Sequence, residues 1–318
     1  MRASLITARR PATGALLPMV GTAALLVLFS TLSPYFLDPT NLQNLVNDAS
    51  TLLLCAFGMT LVILVGEIDL SVGAVCSLLT IVFASLLTIG LAWPFAALVV
   101  LMVGVGIAAI NGVISVIGRV PSFIVTLGTM SIATGASYLL TGSIALPITD
   151  EAFFSALYFG TFLGLPVPTY LVAGVLLAVL IFQTRSALGR EFVAVGMNSE
   201  AARLSGINTA RTRIVAFLLM GLLVGGGAVL AAARLGSGAP NSFPTLTLDV
   251  IAAVVIGGAS LSGGRAFVMR TLLGGLLIAT LNNGLTLMNV NSDFQYIIKG
   301  VIILIAVLID RSSARGDG

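Results

Sequence analysis

Apolar runs close to the length of a bilayer crossing recur down the whole chain, and a chain patterned this way has few folds open to it. The first, Ala15 to Leu32, carries no charged side chain. A membrane's hydrocarbon core needs about 20 such residues of helix. Of the 318 residues, 58% are hydrophobic and only 8% charged, against about a quarter charged in an ordinary soluble domain. A water-soluble body of this size cannot hide that much apolar surface and still present a polar exterior, so the exterior must face lipid. Lipid-facing barrels read as alternating segments of about ten residues, a pattern this chain lacks. The expected fold is an all-α polytopic membrane protein of about ten transmembrane helices.

The ten segments read as 14–33, 49–66, 72–90, 96–117, 123–140, 169–183, 214–233, 249–259, 267–288 and 296–310. The eighth is short and glycine-rich, and the sixth is short with a start near Leu163 also open. Residues 1–318 read as a single transmembrane domain with approximate halves 14–140 and 169–310 and a cytoplasmic loop 184–213. Basic residues set the direction, because cytoplasmic loops retain them. With the N-terminus inside, Arg2, Arg9, Arg10, Arg119, Arg185, Arg190, Arg203, Arg211, Arg213, Arg265, Arg270, Arg311 and Arg315 are all cytoplasmic, thirteen of the fifteen Lys and Arg. Arg234 alone falls in an outer loop, and Lys299 lies in the last span near its outer end. The expected location is a bacterial cytoplasmic (inner) membrane, crossed many times, with both termini cytoplasmic. Arg9-Arg10 before an apolar run imitates a signal peptide. The run is too long for one, however, and Pro34-Tyr35-Phe36 follows it instead of a small-residue cleavage site.

Several chemistries drop out. The chain has no histidine, which removes Ser-His-Asp triads, His metal sites and His proton relays. Cys55 and Cys76 lie in apolar runs and read as small buried hydrophobes rather than a disulfide or metal framework. No metal site is expected. A net charge of +3 is too mild to indicate nucleic acid. No Gly-x4-Gly-Lys-Ser/Thr occurs, so the chain has no P-loop to cradle ATP, and energy must come from a partner or a gradient.

A weak internal repeat is visible. Ile107 to Gly112 is echoed by Ile278 to Gly284, with Asn111 facing Asn282. Ser122-Phe123 is echoed by Ser292-Asp293-Phe294, and Ile68-Asp69-Leu70 by Leu248-Asp249-Val250. Halves of five spans each would be inverted relative to one another, a transporter signature. Asp69 then falls near the inner face and Asp249 near the outer one. Chance likeness between Gly- and Ala-rich helices is the competing reading.

Two stretches carry chemistry. Glu67-Ile-Asp69-Leu-Ser71-Val-Gly73 puts two carboxylates between spans two and three, where facing lipid would be costly. It reads either as a wet turn in which Asp69 or Ser71 caps the next helix, or as a substrate-facing gate with Arg119 or Arg265 as partner. The two are compatible. In loop 184–213, Asn198 or Ser199 can cap a short helix from Glu200, whose acidic first turn suits the helix dipole, and Gly206 would end it. Too short to span and too polar for lipid, that helix must dock on something cytoplasmic, or else pack on its own bundle as a connector.

These residues carry a family resemblance. Glu200-Ala201-Ala202 followed by Gly206 resembles the EAA-x3-G coupling motif of ABC importer permeases. Ile68 to Gly73, Gly118 to Thr129, Gly196 to Ile207 and Ile251 to Arg265 resemble the ribose/xylose/arabinose-type sugar permeases, over roughly residues 40–310. The Ile-x-Leu-Pro ending of the general motif is absent after Gly206, and Glu67 departs from the family's usual Gly-Ile-Asp run. The resemblance implies that Asn198, Glu200, Ala201, Ala202, Arg203 and Gly206 couple the chain to a separate P-loop ATPase. It further implies a periplasmic or extracellular sugar-binding protein that delivers substrate, and a second permease copy, either identical or a paralogue. No cofactor is expected in this chain, ATP and Mg²⁺ belonging to the ATPase.

Gate or pathway candidates are Glu67, Asp69, Ser71, Asn111, Arg119, Phe123, Arg265, Asn282 and Asn283. Asn111, Asn282 and Asn283 are amides within spans, where they either join helices or face a cavity. The expected substrate is a small uncharged sugar. Related permeases for nucleosides or branched-chain amino acids, and a self-contained secondary transporter, are the alternatives. An intramembrane enzyme would need a nucleophile–base pair or carboxylate dyad inside the membrane, and the close carboxylates, Glu67/Asp69 and Asp150/Glu151, lie near loops.

Overall fold

The computed structural model describes residues 13–291 and 293–301. Its helices are α1 (Thr13–Leu32), α2 (Pro39–Leu64), α3 (Val72–Thr88), α4 (Trp93–Val116), α5 (Ser122–Thr141), α6 (Glu151–Leu157), α7 (Val167–Arg185), α8 (Ala187–Met197), α9 (Ser199–Leu204), α10 (Thr209–Leu235), α11 (Leu246–Ile256) and α12 (Val268–Leu287). Residues 293–301 are also helical. Each of the ten expected segments coincides with a helix, the last as far as residue 301. The rest of that segment, Ser292 and the terminal arginines Arg2, Arg9, Arg10, Arg311 and Arg315 lie outside the described residues. Among the described residues, α2, α4, α5, α7 and α10 are each long and apolar enough to cross a bilayer. The protein is a multi-pass helical membrane protein.

The boundaries that differ do so for local reasons. α2 starts ten residues before the expected 49. Asp38 accepts the Thr40 amide at 2.8 Å, and Pro39 opens the helix, where its fixed φ and missing N–H cost nothing. The first turns then carry Asn41, Gln43, Asn44, Asn47 and Asp48, which hydropathy reads as loop although they are helical. α11 begins and ends three residues earlier than expected, stopping before Gly257-Gly258. At 1.5 Å per residue its length is about 16 Å, half a bilayer crossing. α7 begins at Val167 rather than near Leu163, because Leu163 and Gly164 form the turn of a small hairpin at φ of 48° and 78°. That hairpin pairs β2 (Thr161–Phe162) with β3 (Leu165–Pro166).

α2 and α10 run through the centre and pack on each other. α10 also packs on α3 and α4, while α2 packs on α11 and α12. The α4–α10 contact is backbone against backbone. A Cβ on Gly221 would stand 2.3 Å from the Gly104 carbonyl oxygen, and one on Gly104 2.6 Å from that of Gly221. Small residues let membrane helices approach this closely and gain dispersion energy. Of the most apolar stretch of α2, 89% is buried, against 22% in both α5 and α7. The outer helices therefore keep apolar faces uncovered, with Leu98, Ile132, Leu139 and Leu177 exposed.

Segment 141–168 is more ordered than a plain loop. β1 (Leu146–Pro147) pairs antiparallel with β4 (Ser237–Gly238) just beyond α10. Asp150 caps α6 by accepting the Phe153 amide at 3.0 Å. Phe153 is fully buried against Phe83 and Trp93.

Candidate coupling and pathway sites

The expected coupling loop, 184–213, folds around two short helices, α8 and α9. Ser186 caps α8 by accepting the Gly189 amide, and Phe192 and Val195 bury its apolar face. α9 follows after one extended residue, Asn198. Asn198 Oδ1 accepts the amides of Glu200 and Ala201 at 3.1 and 2.9 Å, satisfying two of the donors a helix start leaves free. At the other end Gly206 sits at φ +85°. The Ile207 amide donates to the Ala202 carbonyl and the Gly206 amide to that of Arg203. This bonding pattern closes helices through a left-handed residue. Glu200 and Arg203 are exposed and paired, and the arginine holds the Glu200 carboxyl below its ordinary range. Ala202 alone of this helix turns inward.

The loop meets the bundle at a junction of glycines. A Cβ on Gly196 would lie 1.9 Å from the Leu64 carbonyl oxygen and 2.4 Å from the Gly264 nitrogen. The Gly264 amide donates to that same Leu64 oxygen at 2.9 Å. Three segments thus touch through backbone alone: the end of α8, the end of α2 and the 258–266 loop.

Three residues beyond that end of α2 begins the Glu67–Gly73 turn. The Ile68 and Leu70 amides donate to Ser122 and Thr126 of α5 at 3.1 and 3.0 Å. Asp69, 4% exposed, accepts both the amide and the hydroxyl of Ser71 through Oδ1. Asn111 of α4 donates to the Ser71 hydroxyl at 3.4 Å and accepts from Thr129 of α5. Thr247 of α11 accepts the Gly73 amide. The turn is a bonded hub among α3, α4, α5 and α11, and Asp69 organises the start of α3. Glu67 pairs with Arg213 of α10 at 3.4 Å, and not with the expected Arg119 or Arg265. Both of those are exposed, and Arg119 sits at φ +54°. The pairing is long-range, which spacing along the chain does not reveal. Phe123 is also exposed, at 48%.

The two neighbouring amides of α12 divide their roles. Asn283 exchanges two hydrogen bonds with Asn41 of α2 at 2.9 and 3.0 Å, joining the helices. Asn283 and Asn282 both line a cavity of about 270 Å³ among the first half of α2, the end of α10, the start of α11, α12 and segment 293–301, but Asn282 turns its amide to the charged groups there. Within it Lys299 donates to Asp249 Oδ2 at 2.9 Å and to Thr245 at 3.3 Å, and Asn282 donates to Asp249 Oδ2 at 3.4 Å. A second ion pair, Arg234 with Asp48, lines the same space. Sequence reasoning missed both pairs as site features. The repeat supplied a signal, since it matched Asp249 and Asn282 to Asp69 and Asn111. The cavity and the glycine junction lie at opposite ends of α2, about 24 Å apart at 1.5 Å per residue.

With these sites in view, the relatives are informative. Residues 41–307 match the family described as branched-chain amino acid transport system / permease component. The chain belongs to this permease family. It is 40% identical to the ribose import permease protein RbsC of Bacillus subtilis, covering 93% of this chain and 92% of that one. It is 43% identical to the probable ABC transporter permease protein YphD of Escherichia coli (91% and 87% covered), and 36% identical to the L-arabinose ABC transporter permease protein AraH of Azospirillum brasilense (90% and 85%). No solved structure matches the permease. The family match spans the hub, the glycine junction, the α9 helix and most of the cavity lining, so all of them lie within the shared permease body.

Proposed function

We propose that this permease is the membrane-spanning subunit of an ABC importer for a monosaccharide. It works in a bacterial inner membrane with both termini cytoplasmic. A P-loop ATPase docks on residues 198–206, a sugar-binding protein delivers the solute at the opposite end, and a second permease copy completes the path. No cofactor is held by this chain, and ATP with Mg²⁺ is handled by the ATPase. The relatives named for ribose and arabinose support the sugar. The family's own description keeps a branched-chain amino acid as the second reading.

One observation carries the mechanism: the exposed, doubly capped α9 helix continues directly into a junction with no side chains to yield. A push on α9 moves Gly196, and Gly196 bears on the Leu64 and Gly264 backbone. Leu64 leads within a few residues into the hub around Asp69. Interfaces this closely packed switch between discrete arrangements rather than deform smoothly. The Asp69–Ser71–Asn111 set is then the inner gate, and ATP-driven motion of α9 shifts it between closed and open.

Ten spans in two inverted halves fit the same reading. Asp69 stands beside Asn111 at the inner end, and Asp249 beside Asn282 at the outer. α2 and α10 take equivalent central places, each against a short helix (α11 or α3) and a long one (α12 or α4).

The test is uptake of radiolabelled sugar by cells expressing the whole transporter. Glu200→Arg and Gly206→Pro should cut ATP-driven uptake at least tenfold while the permease stays in the membrane at its usual level. Wild-type rates from both would remove α9 from the mechanism.

A further inference from the structure

The cavity at the outer end has the chemistry of a binding site, and this inference rests on the importer reading only for its direction. Its acidic and basic groups are matched, Asp249 with Lys299 and Asp48 with Arg234. A space balanced in this way offers no net pull on an ion. The Asp249–Lys299 pair is not idle filler, because it is buried, burying a charged pair is costly and a similar apolar lining would serve packing as well; Arg234–Asp48 is partly exposed.

Among the described residues, two acceptors in it are left without partners. Asp249 is 5% exposed, and its Oδ1 has no hydrogen bond. Asn282 Oδ1 is likewise buried and unpaired. A buried acceptor left unmet is destabilising, so the site favours an occupant rich in hydroxyl donors. Among the described residues, Lys299 spends two of its three N–H groups, on Asp249 and Thr245, which leaves a third to donate to a ring or hydroxyl oxygen. At about 270 Å³ the space falls just under the range of about 300–1,000 Å³ typical of small-molecule pockets. That suits a single sugar rather than an oligosaccharide.

We infer that Asp249, Asn282 and Lys299 form a binding site in the permease itself for a neutral monosaccharide, open to the outer side before transport. Asp249 and Asn282 accept from two sugar hydroxyls, and Lys299 donates to a third oxygen. The carboxylate stays paired with the lysine throughout. A zwitterionic amino acid fits worse, because it carries its donors on one ammonium while its carboxylate competes with Asp249 for Lys299.

Thr286 lines the cavity one turn beyond Asn282 and is exposed, and the native Cys55 and Cys76 are buried. Thr286→Cys in the full permease is therefore a clean reporter. Intact cells are treated with a membrane-impermeant methanethiosulfonate, alone or with saturating D-ribose, D-xylose, L-arabinose, D-glucose or L-leucine. The expected result is rapid labelling that at least one sugar slows several-fold and L-leucine does not. Adding Asn282→Leu, or Asp249→Asn with Lys299→Met to remove both charges together, should abolish the protection while labelling continues. A cysteine that is unlabelled from outside, a rate no sugar changes, or protection by L-leucine each overturns the inference. The readout needs no ATP, so it stands apart from the uptake test. Wild-type uptake from the α9 variants together with intact sugar protection would sink the coupling mechanism and leave the site.

Discussion

Replacing Gly196 with alanine perturbs the point where the coupling loop meets the bundle. The added methyl would sit 1.9 Å from the Leu64 oxygen and 2.4 Å from the Gly264 nitrogen. Neither neighbour is a flexible side chain. Restoring an ordinary contact of about 3.4 Å needs a shift of about 1.5 Å, and taking it up by parting the 258–266 loop from the end of α2 breaks the Gly264–Leu64 hydrogen bond. Overpacking of this kind costs about 1–3 kcal/mol, and the lost bond adds about 1 kcal/mol. The expected penalty is about 2–4 kcal/mol, concentrated at the junction. The assay is thermal unfolding of the purified permease in detergent, paired with ATP-driven uptake normalised to permease in the membrane. Gly196→Ala should lower the melting temperature and reduce uptake more than the lower protein level explains. Gly174→Ala is the control: it lies on α7 with open space around it, and there alanine gains helix propensity of about 1 kcal/mol. Wild-type melting and uptake for Gly196→Ala would refute the reasoning, since the backbone contact would then not exist.

Other outcomes follow from the same contacts. Asn283→Ala should destabilise the permease by about 1 kcal/mol or more, because Asn41 Oδ1 is left buried without its donor while Nδ2 keeps only the Phe36 carbonyl, and Asn41→Leu with Asn283→Leu should recover much of the loss in the same melt. Glu67→Gln should cost under about 1 kcal/mol, as its pair with Arg213 is partly exposed, whereas Asp69→Ala should be far worse, since it strips the Ser71 amide and hydroxyl of their shared acceptor. The Glu200 carboxyl is held low by Arg203, so its contribution to α9 is complete at neutral pH and fades only as pH falls through that lowered value. Carbon-detected NMR of the labelled side chain should show a midpoint below that of a free glutamate, and Arg203→Ala should raise it.

Helices were legible wherever lipid contact and helix coincide. The apolar rows of α4, α5 and α7 face outward, so hydropathy finds them directly. The polar first turns of α2 escaped for the opposite reason: Asn41 and Asn47 are buried inside the protein, where a membrane scale sees only cost. α6 escaped because seven residues give no period, although Asp150 before Glu151 is a readable cap. At the sites, local chemistry read well. Asn198 and Gly206 close α9 as their side chain and backbone freedom require, and Asp69 orders the start of α3. Long-range pairing did not read. Nothing near Glu67 in sequence points to Arg213, and Lys299 looked like an isolated cation until α11 brought Asp249 to it. The repeat was the one sequence signal that reached across the chain, and it named both members of the Asp249–Asn282 pair.

The central claim is that this chain is driven by a separate ATPase held at residues 198–206. The direct measurement is to purify the tagged, full-length permease from its own host in mild detergent and identify what accompanies it. The account predicts a stoichiometric P-loop ATPase that disappears when Glu200→Arg is introduced. A permease that purifies without any ATPase, yet still moves a sugar across liposomes, would contradict it.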